Sequence, residues 1–197
     1  INGLIRKEVS SRRNVVLFGQ NINAGSCLAG LTKNLKVGAG GRIINTPNSE
    51  NALAGFGFGM MLGGVSSVFF MKQLDFLPLA MDQVVNTYRF IRNLYPKNPP
   101  DSFTIMPIVV DSGYEGPQSS LNNFADICSL GRVRGLAITN ASDAQAIISG
   151  HLVRPGFRII AVSQRLMKTE IITPERVLYS SPDQSLFQYS RGKDATI

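Results

Sequence analysis

One histidine, His151, and two cysteines, Cys27 and Cys128, are all the sequence offers of the side chains that most often bind metals or lead nucleophilic attack. The cysteines lie far apart and form no metal-binding or redox motif, and no cluster of candidate ligands has metal-site spacing. A Ser-His-Asp triad would have to use His151, which falls late in a helical stretch where contact with the helix end is the simpler role. No G-x-G-x-x-G follows a strand and no P-loop is present; Gly38-Ala39-Gly40-Gly41 precedes a strand and reads as a turn. The sparse cysteines and a charged, amphipathic N-terminal stretch without a secretory pattern give a cytoplasmic setting as the expectation.

Long hydrophobic runs are also lacking, with one stretch to weigh. Asn51–Met71 carries no charge and approaches the ~20 residues of a membrane-spanning helix. Its glycines, and the run Gly63-Gly64-Val65-Ser66-Ser67 above all, break it into a helix and a strand, so no membrane span is expected. Acidic residues are scarce, 13 against 20 Lys and Arg, for a net charge of +7. The basic residues are scattered along the chain: Arg6, Lys7, Arg12 and Arg13, then Lys33 and Lys36, Arg89, Arg92 and Lys97, and later Arg132 and Arg134. Such scatter reads as solvated surface charge, with attraction to an acidic partner or a phosphorylated ligand as the alternative. No nucleic-acid partner is expected, because that function concentrates charge on one face.

What the chain does have is alternation. Residues 1–12 read as an amphipathic helix, 14–18 (NVVLF) as a strand, 28–35 as a short helix, 42–45 (RIIN) as a strand, 49–62 as a helix and 67–71 (SVFFM) as a strand. A helix capped by Asp75, with Pro78 in its first turn, presents Leu77, Met81, Val84, Val85, Tyr88 and Ile91 on one face. Residues 103–110 (FTIMPIVV) read as a strand, 122–128 as a helix, 135–139 as a strand, 143–151 as a helix capped by Ser142, and 157–162 (FRIIAV) as the last strand. Hydrophobic strands alternating with helices predict an α/β fold of three layers, a mostly parallel sheet covered by helices on both faces. Residues 1–180 read as one domain and 181–197 as a polar C-terminal tail. Ligands of such sheets bind at the carboxyl ends of strands, which directs attention to residues 19–24, 46–50, 72–76 and 111–119.

One of these turns carries chemistry. Thr46-Pro47-Asn48-Ser49-Glu50 leaves a strand and opens a helix, with Ser49 as its cap. A carboxylate in a first helical turn is favoured as the anion. On this pattern alone Glu50 is either a good first-turn residue or a functional acid. The helix it opens bears Gly55, Gly59 and Gly63 at four-residue spacing. Each costs about 1 kcal/mol of helix propensity relative to alanine. Close approach of another backbone is the expected compensation, with a subunit interface favoured over an internal contact.

The run from Ile44 to Asn86, INTPNSENALAGFGFGMMLGGVSSVFFMKQLDFLPLAMDQVVN, resembles the beta subunits of the decarboxylating component of 2-oxo-acid dehydrogenases, members of the transketolase-like pyrimidine-binding domains. The resemblance rests on a TPxxE turn, a glycine-striped helix, a strand, an aspartate-aromatic pair and a helix containing Asp-Gln. It extends upstream to NVVLFGQNI and downstream through PIVVDSGYEGPQSS, GLAITNASDAQAII and RPGFRIIAVSQRLM, over about residues 1–170.

The resemblance implies the thiamine-diphosphate pyrimidine-binding fold and a set of roles. Glu50 matches the glutamate that hydrogen-bonds the aminopyrimidine ring of thiamine diphosphate and activates the cofactor. Phe76 matches the aromatic that stacks on that ring, and Asn48 a residue lining it. The diphosphate and its Mg²⁺ would be held by a diphosphate-binding, alpha-type subunit, the active unit being a heterotetramer acting on a small-molecule substrate; this chain itself would hold no metal.

Departures from the family pattern redirect the reading. Ser119 stands where the family has an acid–base histidine, and Gln20-Asn21 where it has Glu-Asp, so both positions count as substrate-facing or supporting sites. Arg154 aligns with a structural monovalent-cation site, so no such ion is expected. The family's C-terminal domain is not found in the sequence. These differences favour a split transketolase-like enzyme that decarboxylates a 2-oxo acid or transfers a ketol or acyl unit. A non-catalytic scaffold or regulatory subunit is the alternative, and a true 2-oxo-acid dehydrogenase beta subunit the reading after that.

Overall fold

The computed structural model describes residues 1–113, 116, 117, 119, 123–170 and 173–192. Six strands form one sheet: β1 (Val15–Gly19), β2 (Arg42–Asn45), β3 (Ser66–Met71), β4 (Ser102–Val109), β5 (Arg134–Ile138) and β6 (Gly156–Ser163). Their order is β2-β1-β3-β4-β6-β5, and every neighbouring pair is parallel. The three central strands β3, β4 and β6 are buried almost end to end, as runs such as SVFFM and FRIIAV require of strands covered on both faces. The edge strand β2 is mostly exposed.

Helices cover both faces. On one side α1 (Asn2–Ser10) and α5 (Ala141–His151) pack with Leu28 and Leu31 over Leu17, Val68, Phe70, Met106 and Ile160. On the other, α2 (Glu50–Leu62), the helical stretch from Leu74 to Leu94 and α4 (Phe124–Gly131) pack over Phe18, Phe69, Phe103 and Phe157. Phe58 meets Phe103 and Phe157 edge-on, at centroid distances of 5.0 and 4.7 Å, and stacks on Tyr88.

Three local expectations fail, each for an identifiable reason: a short helix, a long helix with its cap, and the cap of α5. Where a short helix was expected over 28–35, residues 28–34 form successive turns: Leu28 and Ala29 have positive φ, while Leu28 and Leu31 still reach the core. The helix expected from Asp75 is three pieces: a 3₁₀ turn over Leu74–Ala80 that contains Pro78, a π-helical turn over Gln83–Thr87, and α3 (Tyr88–Leu94). Asp75 does not cap it, and its Oδ1 is buried without a partner among the described residues. The cap of α5 is Asn140, not Ser142. Its side chain accepts from the backbone N–H of Ser142 (2.8 Å) and Asp143 (3.1 Å), while Asp143 accepts in return from the Asn140 N–H, a reciprocal capping box. Past Ser180, the polar segment makes a short antiparallel pair, β7 (Tyr179–Ser180) with β8 (Phe187–Gln188), and Asp183 reaches Arg134 at 3.2 Å.

The charge-free stretch splits as its glycines predict, into α2 and β3. No helix among the described residues is long and apolar enough to cross a membrane.

Candidate functional site

The strand order creates a crevice. The chain leaves β1 toward β2 across the face covered by α1 and α5, and leaves β3 toward β4 across the opposite face. Between two adjacent strands whose connections diverge in this way, the carboxyl ends open onto a topological switch point, where ligands of open α/β sheets bind.

The residues at that point are Gln20 after β1, Pro47, Asn48 and Glu50 after β2, and Lys72 after β3. Together with Leu53 and Phe69–Met71 they line a shallow recess of about 10 Å³. Two backbone features hold it open. Gly19 ends β1 with φ +147 and runs so close to the Phe70 carbonyl that a β-carbon would collide with it. The Thr46 N–H then donates to the Gly19 carbonyl at 3.1 Å, tying the Thr46–Glu50 turn to the end of β1.

Glu50 starts α2 and is half-buried, with no ion-pair partner among the described residues. Ser49 is the N-cap residue but makes no side-chain capping hydrogen bond. Asn48 is exposed on the rim. Gln20 contributes a buried Oε1 without a hydrogen-bond partner among the described residues, and Thr46 Oγ1, Gln73 Oε1 and Asp75 Oδ1 share that condition. Buried polar atoms normally find partners, so four oxygens following three adjacent strands, unpaired among the described residues, mark an edge with polar capacity to spare.

Phe76 lies at the same edge, in the turn after β3, but is not among the recess-lining residues; it is half-buried against the core cluster of α2 and β3. Ser119 is buried, and its N–H donates to the Gly116 carbonyl at 3.1 Å. It does not line the recess, and its neighbours Gln118 and Ser120, with Tyr114 and Glu115 of the same expected loop, lie outside the described residues.

The stripe Gly55, Gly59 and Gly63 meets no second backbone among the described residues. A β-carbon on Gly55 would touch the Gln83 side chain at 3.5 Å, one on Gly59 would touch nothing, and one on Gly63 would meet carbonyls of its own helix. Ala52, Phe56 and Leu62 extend the exposed face, Phe56 being 67% exposed, so the outward side of α2 is apolar and uncharged. The glycine that serves internal packing is Gly57, where a β-carbon would enter the Phe103 ring. Its position two residues from Gly55 breaks the four-residue period, so spacing alone did not single it out.

Other reactive groups are quiet. Burial pushes the Cys128 thiol up to about 11, far from a thiolate at neutral pH. His151 is buried and burial lowers its pKa, so the ring is neutral and adds no cation to the end of α5. No group of three His, Cys, Asp or Glu side chains could hold a metal among the described residues.

The fold and its recess define a class: a parallel α/β domain that presents a helix-opening acid at its switch point. Comparison with known proteins narrows this. The chain is 29% identical over 86 residues to the 2-oxoisovalerate dehydrogenase subunit beta, mitochondrial, of Chaetomium thermophilum, a match covering 44% of this chain and 18% of the relative. It is 27% identical over 105 residues to the acetoin:2,6-dichlorophenolindophenol oxidoreductase subunit beta of Cupriavidus necator, covering 48% of this chain and 31% of the relative. No family model matches. The two matches agree with the motifs: the chain is similar to beta subunits of multi-subunit oxidoreductases that include a 2-oxo-acid dehydrogenase. The matched stretches span less than a third of either relative's length.

Proposed function

We propose that this chain is the pyrimidine-binding subunit of a two-chain, thiamine-diphosphate-dependent enzyme, with Glu50 as the acid that activates the cofactor. The observation that carries the reading is the convergence of Glu50, Asn48 and Gln20 on one recess at the switch point, next to buried oxygens that lack partners. A recess of about 10 Å³ cannot enclose an aromatic ring. A flat heteroaromatic ring can lie against it, however, provided a second surface closes over the other side. The residues therefore fit one wall of a cofactor site between two chains.

Bound there, thiamine diphosphate supplies an electron sink for breaking or making a bond beside a ketone carbonyl. This chain's part is narrower. The Glu50 carboxyl would hold or share a proton with a nitrogen of that ring. Asn48 and Gln20 orient that ring from the rim and floor. Phe76, half-buried at the same edge, is the aromatic that would cover it. Mg²⁺ and the diphosphate fall to an alpha-type partner. The uncharged outward face of α2 gives the subunits a surface on which backbones can approach closely, as assembly into a heterotetramer requires.

The reaction is decarboxylation of a 2-oxo acid or transfer of a ketol or acyl unit. Ser119 and Gln20, in place of the family's histidine and acid, favour that reading over a dehydrogenase feeding a lipoyl carrier. The alternative is a scaffold or regulatory subunit that keeps the fold without the chemistry; Glu50 speaks against it, since its carboxylate takes no ion-pair role in the described structure. Titration of thiamine diphosphate against this chain, its partner and the reconstituted pair, followed by circular dichroism, separates the two. Saturable binding that needs both chains and weakens in Glu50→Gln is the expected result. Equal binding by the partner alone would leave this chain a scaffold.

A further inference from the structure

The amino ends of β5 and β6 enclose a second, larger cavity of about 430 Å³, at the opposite end of the strands from Glu50. Its cationic lining comes from four separate parts of the chain: Arg92 on α3, Lys97 in the following loop, Arg132 and Arg134 around the start of β5, and Arg154 and Arg158 around the start of β6. No carboxylate lines it among the described residues. Asp183 pairs with Arg134 at a half-exposed position, both side chains keeping more than a third of their surface, and the Asp101 carboxylate, at the same end of the sheet, is engaged by Ser66 and by the Ser102 N–H.

Six like charges around one concave space repel one another and focus a strong positive potential. Arg158 is the most telling, because it is only 4% exposed. Its guanidinium donates to the His151 carbonyl at 2.7 Å and the Pro155 carbonyl at 2.9 Å, both neutral acceptors. A buried guanidinium without a counter-charge is costly, and buried charges are normally paired. Burial lowers its pKa to about 10, which still leaves it charged at neutral pH. Arg92 adds a buried Nε that finds no partner among the described residues, while its terminal amino group donates to the Arg132 carbonyl. Arg132 itself has φ +45, a left-handed conformation that arginine rarely adopts, and this turn sets the Arg132 backbone at the cavity wall.

We propose that this cavity binds a small, multiply charged phosphate compound. Its volume lies in the range of small-molecule sites, roughly 300–1,000 Å³. Arginine forks suit phosphate oxygens because they form paired, charge-assisted hydrogen bonds. The site stands apart from any thiamine diphosphate reading, since it uses none of the residues around Glu50.

Inorganic pyrophosphate is the probe, titrated calorimetrically into the full chain at low ionic strength. One saturable site is expected. Arg134→Gln combined with Arg154→Gln, both exposed and outside the core, should weaken it at least ~10-fold, the loss of about 1.4 kcal/mol of charge-assisted bonding. Lys33→Gln combined with Lys36→Gln removes the same net charge from exposed positions elsewhere and should leave binding unchanged. Equal weakening by both pairs, or no saturation, would overturn the proposal. So would a hexaglutamate peptide that binds more tightly than pyrophosphate with the same arginine dependence, which would make the occupant an acidic protein segment.

Discussion

Gly57 and Gly59 sit two residues apart on α2 and face opposite consequences. A methyl group at Gly57 enters the Phe103 ring, which is itself locked between Phe58 and Phe157, so the ring has nowhere to go. Overpacking of this kind costs about 1–3 kcal/mol, more than the ~1 kcal/mol of helix propensity that alanine gains over glycine. Gly57→Ala should therefore destabilise the chain. Gly59→Ala meets nothing and should stabilise it by up to ~1 kcal/mol. Urea unfolding of both variants checks the sign of each. The stripe at 55, 59 and 63 was legible in the sequence as a four-residue period, but the glycine that the core needs lies off that period. Glu50 was legible because a TPxxE turn between a strand and a helix is a local pattern. Phe76 was legible as an aromatic in the right turn, but not its distance from the recess, which depends on how a 3₁₀ turn packs against α2.

At the level of elements, the strands follow directly from runs such as NVVLF and FRIIAV, because a strand buried on both faces needs no periodicity, only continuous apolar residues. Helical boundaries were harder to read. Leu77, Met81, Val84 and Tyr88 satisfy one apolar face whether the backbone is 3₁₀, π or α, so the sequence pattern does not separate the three segments observed between Leu74 and Leu94. Residues 28–35 mimic a helical period because Leu28 and Leu31 both reach the core from successive turns. Helix α5 yields a pH prediction. Its last residue, His151, is buried, and burial depresses its pKa below the ordinary value. The unfolded chain takes up a proton near pH ~6.5, where the folded chain does not yet bind one. The unfolded state thus binds more protons in this window, so stability falls as pH drops through ~6.5 toward 5. Chemical unfolding at pH 7.5 and 5.5 should show this loss, and His151→Leu should flatten it.

Across the whole molecule, folding gathers what the sequence disperses. Arg92, Lys97, Arg132, Arg134, Arg154 and Arg158 are spread over more than a third of the chain; the first four read in sequence as solvated charge, Arg154 as a departure at a cation site and Arg158 only as part of a strand. A parallel sheet brings the starts of all its strands to one edge, so these residues meet around one cavity. The same topology collects Gln20, Asn48 and Glu50 at the other edge. Assembly is the remaining large-scale property. If the outward face of α2 receives another chain, Gly59→Leu should leave the isolated chain at least as stable as before, since a β-carbon there meets nothing and leucine favours the helix over glycine, yet prevent association with the partner or a second copy. Sedimentation velocity of the mixed chains checks it, with dissociated species expected for the variant and the complex for the parent chain.

The central claim concerns one carboxyl group and is tested most directly by turnover. Parent chain and Glu50→Gln, each reconstituted with the diphosphate-binding partner, are assayed with 2-oxo acids at saturating thiamine diphosphate and Mg²⁺. A positioned acid of this kind contributes ~10²–10⁴-fold, so the variant should fall to a few per cent of the parent rate or below while still assembling. A variant that assembles and turns over substrate at close to the parent rate would contradict the assignment of Glu50, and with it the account of the recess.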